Sequence, residues 1–113
     1  MLSLPSSVRI FVCRESCDMR RSFDGLARMV EEHVGGDPLS GHLFVFRNRR
    51  GDRLKILCWD GDGYVIYYKR LERGVFVLPD SRGGAIRPSD LSLILGGVDV
   101  SSVRRLPRYQ RPA

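Results

Sequence analysis

The chain has 113 residues, of which 42% are hydrophobic and 28% are charged, and this fits one small globular domain. No apolar run approaches the roughly 20 residues that span a bilayer, which excludes a membrane-spanning protein. Nineteen basic and thirteen acidic side chains give a net charge of +6, which favours polyanionic partners such as nucleic acid. A charge that only keeps the protein in solution is an equally simple interpretation.

The N-terminal residues and the cysteines both indicate a reducing compartment. The first residues lack the basic start and long apolar run of a signal peptide, so we expect a cytoplasmic protein. Cys13, Cys17 and Cys58 are an odd number in a short chain, which predicts free thiols. Together with His33 and His42 they lack the paired spacing of a zinc site, so neither a metal nor another cofactor is expected.

The first predicted elements are a strand and an amphipathic helix. Residues 8–13 are rich in β-branched and aromatic side chains, which predicts a strand. Apolar positions between Phe23 and Val34 recur at intervals of three and four, which predicts a helix over 23–34. Asp18 or Ser22 can cap its start, and the two glycines after Val34 can end it.

Residues 42–73 divide at two turn signals into three predicted strands. The strands are Leu43–Arg47, Arg53–Trp59 and Tyr64–Arg70, and the turns are 48–52 and 60–63. Gly61 stands at the first central position of the second turn, which suits a type II′ hairpin. Residues 75–79 are predicted to add a short strand that proline stops.

The end of the chain is predicted to hold a short helix and a basic tail. Ser89 or Pro88 can start a helix through 90–95, and Gly96 and Gly97 can end it. The arginines and prolines that follow predict a compact domain over 1–98 and a disordered tail over 99–113. The predicted class is α+β, with an antiparallel β-meander of about four to five strands packed on one amphipathic helix.

Folding the three strands around their turns sorts their side chains onto two faces. We expect Arg47 to oppose Arg53 across the first turn and Trp59 to oppose Tyr64 across the second. The predicted core face is apolar: Phe44, Phe46, Leu54, Ile56, Cys58, Val65 and Tyr67. The predicted outer face carries basic and aromatic side chains with four aliphatic ones among them: Arg47, Arg53, Lys55, Trp59, Tyr64, Tyr68 and Arg70, with Leu43, Val45, Leu57 and Ile66. A slip of one residue in register would reverse these assignments.

The outer face is a candidate nucleic-acid surface. Its arginines repel one another unless a phosphate backbone lies against them, and its rings can stack on bases or sugars. Arg49 and Arg50 at the turn would extend it, as would four tail residues: Arg104, Arg105, Arg108 and Arg111. In the alternative interpretation the sheet is covered on both faces and its arginines pair with Asp52, Glu72 or Glu15 at the edge.

A metal-dependent nuclease is the least favoured alternative. It needs two or three carboxylates that converge on one ion. The available aspartates are Asp18, Asp24, Asp52, Asp60 and Asp62. Turns account for most of them, and no spacing among them is diagnostic, so no catalytic residue is assigned.

Four segments of the chain carry a family resemblance. They are CDMRRSFDGL (17–26), SGHLFVFRNRRGDRLKIL (40–57), WDGDG (59–63) and YKRLE (68–72). They closely resemble the TnpB-type accessory protein of the insertion-sequence-sixty-six group of bacterial transposable elements, the product of the second open reading frame. The resemblance covers residues 8–95. Cys17 and Cys58 depart from it, since the family usually has a hydroxyl and an aromatic there.

The resemblance implies a bacterial protein that supports transposition, while a separate, larger transposase cuts and joins the DNA. We therefore expect a non-catalytic accessory factor that binds element ends or target DNA through the outer face and tail, with the transposase as a further partner. The alternative is a protein-interaction module that docks on the transposase without contacting DNA. Neither the residues nor the resemblance indicates the oligomeric state.

Overall fold

A computed structural model describes residues 7–81, 83–99 and 104–112. Five strands form one sheet in the order β4-β3-β2-β1-β5. They are β1 (Ile10–Val12), β2 (Leu43–Arg47), β3 (Arg53–Trp59), β4 (Tyr64–Arg70) and β5 (Ala85–Ile86). A separate pair joins β6 (Val98–Asp99) to β7 (Arg104–Arg105). With the two helices below, the predicted α+β class is confirmed.

The two helices begin and end at the predicted signals. Helix α1 (Phe23–Met29) continues as a π-helical turn over Val30–Val34, and Gly35 ends it with a φ of 79°. Ser22 is the N-cap residue, but its side chain donates and accepts no capping hydrogen bond. Helix α2 (Pro88–Leu95) begins on a proline. Neither helix is long and apolar enough to cross a bilayer within the described residues.

The sheet is mixed, so the prediction of an antiparallel meander is wrong for β1. Strands β2, β3 and β4 are antiparallel neighbours, but β1 runs parallel to β2. A parallel pair needs a long crossover, and α1 supplies it between these two strands. The predicted strand at 75–79 is also wrong, because those residues enter no strand pair. The fifth strand is instead β5, which pairs antiparallel to β1.

The register of β3 against β4 is confirmed, and that of β2 against β3 is wrong by one residue. Trp59 opposes Tyr64, as predicted, whereas Arg47 opposes Leu54 instead of Arg53. The cause is Asn48, whose backbone N–H donates to the Arg53 carbonyl (3.2 Å) and whose side chain accepts the Arg53 N–H (3.0 Å). Asn48 therefore belongs to the ladder, and the turn is one residue shorter than predicted.

This slip moves every β2 side chain to the other face. The α2 face packs Val45, Leu54 and Ile56 against Leu91 and Ile94 of α2. The α1 face packs a different set against Leu26, Ala27, Met29 and Val30 of the first helix: Phe44, Phe46 and Leu57. Both faces of the sheet are covered, which is the alternative arrangement considered above.

The described part of the C-terminal segment contacts the domain, while the division at residue 98 stays a prediction. The Leu106 N–H donates to the Gly97 carbonyl at 2.7 Å. The Arg108 guanidinium donates to the Val75 carbonyl at 3.1 Å and lies 5.3 Å from the centre of the Phe76 ring. Arg108 is thus an attachment point for this segment.

Gly74→Ala is expected to detach the C-terminal segment. Gly74 has a φ of 87°, and a methyl group there would overlap the carbonyl oxygen of Pro107. Gly61→Ala is the control, since Gly61 has a φ of 76° and open space around it. Both variants carry the left-handed strain of about 1–2 kcal/mol, but only Gly74→Ala should accelerate amide exchange at Leu106. Equal exchange rates in the two variants would contradict this attachment.

Candidate nucleic-acid interface

The structure does not place the predicted outer-face residues on one surface. Arg47 lies on the α2 face, where its guanidinium donates to the Phe76 carbonyl at 2.7 Å. Arg53, Lys55 and Arg70 lie on the α1 face of the sheet. A single sheet face carrying all of these cations is therefore wrong, because the first turn is shorter than predicted.

Lys55 is a structural residue at the base of the loop between β1 and α1. Its side chain is 7% exposed, and its ammonium donates to the carbonyls of Met19 (2.8 Å) and Arg21 (2.7 Å). The ammonium also lies 4.6 Å from the centre of the Tyr68 ring. The ammonium is thus held inside the protein by two carbonyls and one aromatic ring, so Lys55 holds the loop that carries Arg20 and Arg21.

The aromatic side chains of the predicted face are only partly available. Trp59 and Tyr64 are half-buried and contact each other edge to face, with ring centres 5.1 Å apart. Tyr68 is 46% exposed, and its hydroxyl accepts a hydrogen bond from Arg53 at 3.0 Å. Tyr68 is therefore the ring of this set that is most open for stacking on a base.

Arginines gather instead at one end of the sheet, where three loops meet. The β1–α1 loop is joined to the end of β2 by the hydrogen bond from Cys17 N–H to the Arg47 carbonyl, 2.9 Å long. The β2–β3 turn lies beside it, and the end of β4 follows. We call six exposed or half-exposed arginines of this region the arginine track. Its members are Arg20, Arg49, Arg50, Arg53, Arg70 and Arg73.

Three adjoining clefts run along the arginine track. The first, about 510 Å³, is lined by both loops and includes Arg20, Arg49, Arg50 and Arg53. The second, about 280 Å³, shares Arg53 with the first and also includes Arg70. The third, about 420 Å³, shares Arg70 and is completed by residues of the C-terminal segment. The three clefts therefore adjoin one another across the end of the sheet, with an arginine at each junction.

Carboxylates neutralise part of this surface. Arg20 forms an ion pair with Asp18 at 2.6 Å, and Arg70 forms one with Glu72 at 2.7 Å. Asp52 accepts a hydrogen bond from Asn48, which is the main cause of its lowered pKa, and Arg50 adds to the effect. Arg49, Arg50 and Arg73 are exposed, so positive charge remains at both ends of the track.

Arg20→Gln is expected to raise the pKa of Asp18. Hydrogen bonds from the Arg20 side chain and backbone lower that pKa to about 2. Glutamine removes the guanidinium, so the pKa should return toward the ordinary value of about 3.9. The pH dependence of the Asp18 carboxyl carbon shift in NMR measures this, with Arg28→Gln as a control of equal charge. An unchanged Asp18 pKa in Arg20→Gln would contradict the ion pair.

The tail arginines that were predicted to bind nucleic acid are not equally available where their side chains are described. Arg105 and Arg111 are exposed, whereas Arg108 is half-buried against Phe76 and its pKa is lowered by desolvation. For Arg104 the structure describes the backbone pairing with Asp99. Of these residues, Arg108 is committed to holding the segment in place.

The remaining sequence candidates do not come together as a site. Cys13, Cys17 and Cys58 are free cysteines in the structure, and burial is the main cause that raises the pKa of each. Within residues 7–81, 83–99 and 104–112, no three metal-binding side chains form a group. Asp18 and Asp52 serve the loop contacts described above, and Asp60 belongs to the β3–β4 turn.

Sequence reasoning missed Arg20 and Arg73 as members of the arginine track. A weak signal existed for Arg20, because the doublets Arg20-Arg21 and Arg49-Arg50 both stand in polar segments between predicted elements. The two doublets are close because β1 pairs parallel to β2, so the carboxyl ends of both strands lie at the same end of the sheet. Arg73 follows β4 and carries no comparable signal.

Comparison with known proteins agrees with the family resemblance. Two similar proteins come from Sinorhizobium fredii, and both are named as uncharacterized. Protein y4hO is 45% identical over 101 residues, covering 88% of each chain. Protein y4jC is 38% identical over 114 residues, covering 99% of this chain and 97% of the relative. No solved structure matches the chain.

The matching family model is described as IS66 Orf2 like protein and aligns with residues 8–105. That range includes β1, both helices and the arginine track. Membership associates the chain with an insertion sequence and with an accessory role in its transposition. The chain belongs to the family of IS66 Orf2 like proteins.

Proposed function

We propose that this protein is a non-catalytic accessory factor that binds DNA through the arginine track during transposition. The observation that carries the proposal is the continuity of the three clefts, which share Arg53 and Arg70. A phosphate backbone needs a row of cations, and planar guanidinium groups bind phosphate oxygens through two hydrogen bonds each. The net charge of +6 adds long-range attraction.

The position of the track favours backbone contacts. Its arginines stand on loops and strand ends rather than on an element that fits the major groove. Phosphate contacts fix the position of a protein on DNA without reading its sequence. The protein would accordingly hold element ends or target DNA while another protein supplies sequence recognition and chemistry.

Docking on the transposase without DNA contact is less well supported. Docking would use an aromatic surface formed by Trp59, Tyr64 and Tyr68. These rings already have partners inside the protein, because Trp59 and Tyr64 pack on each other and Lys55 lies against Tyr68. Helix α1 packs on the same face of the sheet. A protein partner and DNA can still be held together if each uses a different surface.

The test is a salt-titrated binding measurement with element-end duplex and with random duplex of equal length. Each neutralised phosphate contributes about −0.9 to the slope of log K against log salt. One phosphate contact from each of the four track arginines outside the two ion pairs above would give about −3.6. We expect a slope near this value and similar affinities for both duplexes. An affinity that does not change with salt, or no binding at low salt, would refute the proposal. Nuclease-resistant capture by the purified transposase alone would favour docking.

A further inference from the structure

The free edge of β4 is an unpaired strand of seven residues, Tyr64–Arg70. It pairs with β3 on one side, and within the described residues no strand lies on its other side. The strand contains no proline or glycine, and its register with β3 is continuous from Tyr64 to Arg70. Long, regular edges of this kind are templates for pairing with another strand.

The backbone groups that point away from β3 can be identified from the ladder. Asp60 N–H donates to the Gly63 carbonyl (2.8 Å), and Leu71 N–H donates to the Asp52 carbonyl (2.7 Å). These bonds at the two ends show that odd-numbered residues of β4 bond to β3, since antiparallel pairs alternate. Even-numbered residues therefore direct their N–H and C=O groups outward: Tyr64, Ile66, Tyr68 and Arg70.

The two ends of β4 carry opposite charge. Asp60 and Asp62 occupy the turn before Tyr64. Burial and then the charges of Glu31, Asp24 and Asp37 raise the pKa of Tyr64, so these acids lie within electrostatic range of it. The other end of the strand carries Lys69 and Arg70; Glu72 pairs with Arg70 at 2.7 Å, so Lys69 keeps this end positive. An antiparallel copy would set each basic end against an acidic end, whereas a parallel copy would set like charges together.

We propose that two copies of this chain associate through their β4 edges, antiparallel, to form one continuous ten-stranded sheet. In the register centred on Tyr67, Tyr64 opposes the partner's Arg70 and Ile66 opposes the partner's Tyr68. This register uses every outward-facing backbone group of the strand. Val65 then opposes the partner's Lys69, and Val65 is 50% exposed in the single chain.

A pair of substitutions at Val65 tests the surface and the register together. Val65→Glu places a carboxylate opposite the partner's Lys69 at two symmetric positions, and Val65→Lys places a like charge there. The first should tighten dimerisation about threefold or more, and the second should weaken it by a similar factor. Leu93→Lys, at a site on α2 that is 44% exposed, is the control and should leave the dimerisation constant unchanged.

Sedimentation velocity of the full-length protein between about 10 μM and 1 mM measures these constants. In parallel, amide hydrogen exchange by NMR should show protection that rises with concentration at Tyr64, Ile66, Tyr68 and Arg70. Amides at Val65, Tyr67 and Lys69, which bond to β3, should be protected at every concentration. A monomer throughout the range for the wild type and for Val65→Glu would overturn the proposal. So would equal effects of the two Val65 substitutions, or concentration-independent exchange at the even-numbered residues.

Discussion

Lys55→Ala is expected to lower the free energy of unfolding by about 2–3 kcal/mol, since hydrogen bonds from a charged donor contribute about 1.5–3 kcal/mol each. The substitution removes the donor to the Met19 and Arg21 carbonyls and the contact with the Tyr68 ring. The loop before α1 would lose its attachment to the sheet. Urea denaturation followed by Trp59 fluorescence measures the change.

Lys69→Ala is the matched control, because Lys69 is the other lysine of the chain and lies on β4. Its side chain is less buried, and its removal should change the free energy of unfolding by less than about 0.5 kcal/mol. Equal losses for the two variants would show that Lys55 is a surface residue in solution. Lys55 would then be exposed enough to contact DNA together with the arginines of the track.

The double variant Arg49→Gln/Arg50→Gln is expected to reduce DNA affinity about tenfold or more at low salt. Both arginines are exposed on the β2–β3 turn, where they line the first cleft of the arginine track. If each neutralises one phosphate, the slope of log K against log salt should become shallower by about 1.8. Fluorescence anisotropy of a labelled duplex across a salt series gives both quantities.

Arg9→Gln/Arg28→Gln removes the same formal charge from exposed positions outside the track. Its slope should stay within about 0.5 of the wild-type value, since distant exposed charges are screened at moderate salt. Identical slopes for the two double variants would mean that net charge alone attracts the DNA. In that case the arginine track would not be the binding surface.

The residues of each turn determine whether the register of its two strands can be predicted from the sequence. The β3–β4 hairpin has a short turn with Gly61 at a positive φ of 76°, so its register follows directly from the sequence. The β2–β3 turn contains Asn48, which can stand either in the loop or in the ladder. The hydrogen bonds between the Asn48 side chain and Arg53 and Asp52 place Asn48 in the ladder. Those hydrogen bonds form only in the folded chain, so the sequence does not reveal them.

Long-range geometry decided how much of the site could be predicted. The turn alone predicts that Arg49 and Arg50 extend the basic surface; both are exposed, and their binding to DNA stays a prediction. The alternation of side chains along β3 predicts that Lys55 lies beside Tyr68 on the outer face, and it carries no information on whether that face is covered at Lys55. Its burial depends on two carbonyl groups more than thirty residues away in the chain, and local patterns carry no information about such a contact.

The C-terminal segment supports the turn that carries Arg49 through a short relay of contacts. Arg108 donates to Val75, and the neighbouring Phe76 N–H donates to Gly51 at 2.7 Å. A ribosome makes the chain from its N-terminus, so the meander is complete before Arg108 is added. Products of interrupted translation that stop before Arg108 would therefore have strands β2 to β4 but lack the contact that supports the turn carrying Arg49.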